Sequence, residues 1–150
     1  METQEIFNTV AVHLFRQGHR AMNGSACVYR APNGDKCAVG ALISDEDYSQ
    51  SFECSPIGII ARDLPGWFEE NVSLLVELQT IHDFPGNWFC NDKMKKQFRW
   101  VAAKYKLDAS ILDSLSFTRN EIVPETEKGE SVMELSPVES VDSDLLVTSI

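Results

Sequence analysis

No stretch of this chain approaches the roughly 18 consecutive apolar residues that a membrane-spanning helix needs, so no membrane partner is expected. Catalytic fingerprints are missing too: there is no G-x-S-x-G, no H-E-x-x-H, no phosphate-binding P-loop and no dinucleotide glycine motif. The four cysteines, Cys27, Cys37, Cys54 and Cys90, include no C-x-x-C pair, which takes away the usual spacing of a zinc knuckle or a dithiol redox centre. Basic charge is in short supply, with 13 Lys and Arg against 23 Asp and Glu in 150 residues, a formal net charge of −10. Nonspecific nucleic-acid binding needs a basic surface, so direct contact with nucleic acid is not expected. The opening Met1-Glu2-Thr3-Gln4-Glu5 is acidic and lacks the basic start of a signal peptide, so the chain reads as cytoplasmic.

The acidity is uneven. Residues 1–119 carry 15 acidic and 12 basic side chains, a net −3, whereas residues 120–150 carry 8 acidic and 1 basic, a net −7. That last segment has no Trp, Tyr, Phe or Cys but has Pro124, Pro137 and five serines. It cannot bury enough apolar surface to offset the entropy of ordering a backbone, about 1–2 kcal/mol per residue, and it reads as a disordered acidic tail. The expected organisation is one globular domain, 1–119, followed by the tail, 120–150.

Within the domain, Ile6, Phe7, Val10, Ala11, Leu14 and Phe15 recur at helical spacing and predict a helix over 3–17, stopped by Gly18. Residues 26–40 predict a β-hairpin around Asn33-Gly34; a two-residue turn there sets Arg30 opposite Cys37 and Val28 opposite Val39. A helix starting near Lys36 and running to Ile43 is the alternative. Ser55-Pro56 reads as a cap and first position of a short helix through Arg62. Val72, Leu75, Leu78 and Ile81 predict a helix over 70–82, ended by Phe84-Pro85-Gly86. Met94, Phe98, Val101, Ala102 and Tyr105 predict another over 92–106, and Asp108 caps a last short one, 109–115. The fold class expected is α+β: a small, mostly helical domain of four to five helices with one β-hairpin.

Several groups of residues have chemical potential. Cys37, His82 and Asp83 supply the residue types of a thiolate, a base and an orienting group for a hydrolase or transferase. His13, Cys27, Cys37 and His82 could supply four N and S ligands to a structural zinc. Against both stands the reading of the cysteines as small buried hydrophobes, and no cofactor is assigned. Tyr29 and Arg30 sit by the hairpin, where the guanidinium suits an acidic residue of Asp45-Glu46-Asp47 or an external carboxylate. Trp67 and Trp88 each follow a Pro-Gly break; they either fold back onto the core or anchor a partner. Lys93, Lys95, Lys96, Arg99, Lys104 and Lys106 cluster on one helix, as a solvated face or a contact for an anionic partner. Leu145, Leu146 and Ile150 close the acidic tail with apolar side chains suited to docking.

Val10–Leu14, Gln17-Gly18, Cys27–Arg30, Gly34–Ile43 and Leu78–Asp83 resemble stretches of uncharacterised small proteins encoded by tailed bacteriophages and prophages. The resemblance spans about residues 6–115 and omits the tail. It implies a phage product that acts on the host and carries over no catalytic role. The reading that results is a non-enzymatic protein-binding factor that engages or inhibits a host protein, with the Cys37–His82 hydrolase and the zinc module as alternatives.

Overall fold

Helix α1 (Thr3–Gln17) follows the predicted bounds, and all six residues of its apolar stripe are fully buried. Gly18 ends it in the left-handed region, φ 79°, where its N–H donates to the Leu14 carbonyl at 2.9 Å. In the computed structural model the described residues are 1–118, and Met1–Phe117 make up one compact unit. The expected tail, with Leu145, Leu146 and Ile150, lies outside the described residues.

Two glutamines fasten α1 by its polar edge. The Gln17 amide accepts from the Lys36 N–H and donates to the Lys36 carbonyl, both at 2.9 Å. Gln4 does the same at Asp108, at 2.8 and 2.9 Å. Each side chain satisfies both polar groups of one main-chain residue, as an adjacent strand would. His13 Nε2 donates to the same Lys36 carbonyl at 2.8 Å. Burial dominates the environment of this imidazole and lowers its pKa.

An antiparallel hairpin is present, but it is not the one expected over 26–40: its strands are β1 (Met22–Asn23) and β2 (Ala26–Cys27), joined at Gly24-Ser25 with Gly24 at φ 66°. Around Asn33-Gly34 there is one bridge, Arg30 with Lys36, and Cys37 N–H bonds to the Tyr29 carbonyl at 3.2 Å. The expected register, Arg30 opposite Cys37, is therefore off by one. Gly34 N–H closes a turn on the Ala31 carbonyl and Ala31 N–H meets the Asp35 carbonyl, so Pro32-Asn33-Gly34 form a three-residue loop. Pro32 presets the first turn position, and Gly34 takes the left-handed one at φ 97°. One extra loop residue slips the pairing by one, which places Cys37 and Tyr29 together. Beyond Cys37 the chain turns instead of continuing as a strand, through a 3₁₀ turn at Gly40–Leu42, because Gly40 passes directly against the Tyr29 carbonyl.

Four further helices complete the α+β architecture: α2 (Ile57–Ile60), α3 (Trp67–Glu70), α4 (Val72–Asp83) and α5 (Asn91–Tyr105). Pro56, extended at ψ 158°, is the cap of α2 in place of Ser55. Asp108 Oδ1 accepts from Ser110 N–H at 2.9 Å and starts a closing 3₁₀ turn, Ser110–Ser114. A chain of rings runs through the core: Phe7 on Phe98 (5.7 Å), Phe98 on Phe15 (6.2 Å), Phe15 on Phe117 (5.0 Å), Phe117 on Trp88 (5.7 Å) and Trp88 on His82 (5.9 Å). It ties α1, α5, the end of α4 and the last described residues together at ordinary aromatic spacings. No described helix is long and apolar enough to cross a membrane.

Gly40 gives a direct test of this chain path. Gly40→Ala must displace the Tyr29 carbonyl and should cost about 1–3 kcal/mol by urea unfolding. Gly58→Ala has open space within α2 and should be neutral or gain up to about 1 kcal/mol. Equal effects from the two would rule out the close approach at Gly40.

Candidate functional site

The end of α4 carries a buried imidazole. His82 has no exposed surface, and its Nε2 accepts from the backbone N–H of Ala21 at 2.9 Å. An amide N–H can only donate, so Nε2 bears the lone pair and Nδ1 bears the hydrogen. Nδ1 then donates to Asp83 Oδ1 at 2.8 Å. Gln79 holds the same carboxylate oxygen at 2.8 Å, while its own carbonyl accepts from Val39 N–H at 3.1 Å. Burial alone would raise the Asp83 pKa, but hydrogen bonds from His82, Gln79 and Cys27 outweigh it and hold the carboxyl below its ordinary value. Trp88 Nε1 donates to the His82 carbonyl at 2.9 Å and seals the helix end.

Cys27, His82 and Asp83 place one ligand-type atom each within 4.8 Å of the others. Cys27 takes the place expected for Cys37 in the catalytic set, and of the predicted zinc ligands the cluster keeps Cys27 and His82 while Asp83 joins them and His13 and Cys37 do not. The Cys27 thiol lies 3.5 Å from the Met22 sulfur and 3.9 Å from an Arg20 guanidinium nitrogen, which also reaches the Asp83 carbonyl at 3.3 Å. Burial and the Asp83 charge raise the Cys27 pKa, so the thiol stays protonated against the carboxylate. Both ring nitrogens of His82 are engaged, which leaves no lone pair to take the Cys27 proton. A metal on Nδ1 would move the ring hydrogen to Nε2, against the Ala21 N–H. The three residues therefore form a structural clasp, and the tautomer that makes it also opposes metal ligation.

Cys37 is fully buried; its sulfur accepts from Gly40 N–H at 3.2 Å, and burial pushes its pKa up to about 12. Together with Cys27, Tyr29, Glu53, Cys54 and Asp83 it lines a pocket of about 350 Å³. Cys54, at the edge, is exposed and holds a left-handed φ of 69°, rare for a residue with a side chain. Glu53 grips the hairpin: its carboxylate accepts from the N–H groups of Tyr29 and Arg30 at 2.9 and 3.1 Å and from the Tyr48 hydroxyl at 2.6 Å. Burial and that bond push the Tyr48 pKa up to about 12. Arg30 donates to the Ile43 carbonyl, pairs with Asp45 at 2.9 Å and lies 4.4 Å above the Tyr48 ring. Its charge is thereby spent within the domain, through the Asp45 loop the sequence suggested.

The loop aromatics mostly turn inward. Trp88 and Phe68 are buried, and half-buried Trp67 stacks on Phe68 with ring centres 3.9 Å apart. Tyr29 is buried, with its hydroxyl donated to the Ser55 carbonyl at 2.6 Å. Phe89, next to Trp88, is the exception at 76% exposed, and two further exposed aromatics lie elsewhere. Trp100 is 58% exposed and Phe84 60% exposed, and both line a groove of about 930 Å³ between α4 and α5. Val76, 46% exposed, lies in its floor. Lys104 spans the groove to Glu77, sits 5.3 Å from the Trp100 ring and leaves the Tyr105 hydroxyl 3.3 Å from the same carboxylate. Neither Trp100 nor Phe84 was a sequence candidate. The signal for Trp100 was helical phase, since it falls one step outside the Met94–Phe98–Val101–Tyr105 stripe. Phe84 was read only as part of a helix stop.

No family model matches the chain, and no curated protein or solved structure is significantly similar to it. The functional reading rests on the geometry.

Two measurements test the clasp. In native protein a thiol reagent should label Cys54 and Cys90 rapidly and Cys27 and Cys37 slowly, with all four reacting alike only after unfolding; rapid labelling of Cys27 or Cys37 would reveal an activated thiolate. His82→Phe strands the Ala21 N–H and should cost about 1–3 kcal/mol in urea unfolding. An unchanged midpoint would remove the structural role.

Proposed function

We propose that this protein is a non-enzymatic binding factor that engages a partner protein through the α4–α5 face. The observation that carries this reading is Trp100: more than half of a large indole is left in water at the edge of a groove, on a domain that encloses Phe7, Phe15, Phe68, Phe98 and Phe117 in one continuous core. Phe84 and Val76 extend the patch, and exposed apolar clusters of this kind on a well-packed domain mark binding surfaces, with Trp a favoured anchor. The resemblance to phage-encoded proteins favours a host protein as partner. The Cys37–His82 hydrolase and the zinc module have no comparable support: Cys37 is sealed at a raised pKa, and both His82 nitrogens are engaged.

Affinity capture from host lysate checks this, with wild-type protein compared against Trp100→Ala and Phe84→Ala. A partner held by wild type should be lost from both variants, while their unfolding midpoints stay within about 1 kcal/mol of wild type because both rings are largely solvated. Retention of the partner by both would remove the α4–α5 face as the site.

A further inference from the structure

We infer that the α4–α5 groove takes an acidic amphipathic helix of the partner, a deepening that rests on the binding reading above. Shape is the first ground. The groove runs between two packed helices, and its lining from Val72 to Ile81 on α4 and from Gln97 to Tyr105 on α5 gives it a length of about 12–15 Å at 1.5 Å per residue. That matches about 8–10 residues of a docked helix, enough for apolar positions from i to i+7. Phe84, Val76 and Trp100 spread apolar contact along this length, as a helix presenting residues at i, i+3, i+4 and i+7 requires.

Charge is the second ground. Seven residues on an α-helix turn the chain by nearly two whole turns, so Lys93 lies on the face of Trp100, with Lys96 and Lys104 one turn away on either side. All three lysines are exposed. Lys104 is matched by Glu77, but Lys93 and Lys96 have no ion pair among the described residues. Glu77, the acidic group lining the groove, is itself taken up by Lys104 and the Tyr105 hydroxyl. The patch is therefore apolar with a border that is positive on balance, Lys93, Lys96 and Lys104 against Asp92 and Glu77, on a domain that is net −3 over residues 1–119. Carboxylates flanking an apolar stripe complement it, whereas a basic helix would meet Lys93 and Lys96 directly. A nucleic acid would answer the lysines but leave Phe84 and Val76 without apolar partners.

The test uses the full chain and three labelled synthetic peptides of about 15 residues: an acidic amphipathic helix, a basic one with the same apolar positions, and an acidic scramble. By fluorescence anisotropy the acidic helix should bind at least about tenfold tighter than either control and weaken several-fold as salt rises from about 50 to 200 mM. Trp100→Ala should weaken it by about tenfold or more. The Lys93→Glu, Lys96→Glu double variant should reverse the preference toward the basic peptide, a gain that misfolding cannot produce. No preference between the acidic helix and its scramble, or a preference for the basic helix, overturns the inference. Displacement of the acidic helix by an equimolar single-stranded oligonucleotide overturns it in favour of nucleic acid. Sedimentation as a dimer that Trp100→Ala disperses overturns it in favour of a second copy of the chain. If the peptides fail while lysate capture still depends on Trp100, this inference falls and the binding reading stands; if both fail, both fall.

Discussion

The backbone N–H of Ala21 can only donate, and it meets the Nε2 of an imidazole that no solvent reaches. That contact decides where the ring hydrogen sits, and the ring hydrogen decides that His82 serves Asp83 and not Cys27. From Asp83 the bonding runs through Gln79 to Val39, which fixes the turn after Cys37, and from the His82 carbonyl to Trp88, which closes the ring chain through Phe117 and Phe15. A cysteine, a histidine and an aspartate within reach of one another invite a catalytic or metal reading. The direction of a single amide N–H turns them into a fastening between the hairpin and the end of α4.

Around the hairpin the polar groups are largely satisfied within the domain, whereas the α4–α5 face is apolar and exposed. Arg30, the strongest recognition group in that region, is occupied by Asp45, Ile43 and Tyr48. The α4–α5 face differs because its large side chains exceed what the core can enclose. α5 places Met94, Phe98 and Val101 inward, with Phe98 against Phe7 and Phe15 of α1, and that rotation leaves Trp100 facing outward. The exposed indole follows from the helix phase that builds the core.

Periodic elements were legible in the sequence: α1, α4 and α5 stand within two residues of the spans that their apolar repeats predict, because burial of one stripe determines a helix wherever tertiary contacts are ample. Loop detail was not. Asn33-Gly34 pointed to a turn correctly, yet Pro32 drew the loop out to three residues, and one residue is enough to exchange a strand's partners. The candidate site was misjudged for a related reason. Cys27 and Cys37 are equivalent on paper; the pairing of Cys27 with Met22, which no spacing announces, accompanies its place beside Asp83, while Cys37 is sealed against Gly40. Trp100 was readable from spacing alone, but a helix wheel carries no mark to separate a solvated aromatic from one at the edge of a core.

The two glutamine clamps on α1 have a consequence for how the chain comes together during synthesis. The Gln17 clamp needs only Lys36, whereas the Gln4 clamp needs Asp108, made about 70 residues later, which at 5–20 residues per second is about 4–14 s. Through that interval one end of α1 can be pinned while Phe7 and Phe15 wait for Phe98 and Phe117. A nascent domain with a half-anchored helix and a bare aromatic stripe is the form in which this sequence is most exposed to chaperones, and it ends only when the last ring of the core arrives.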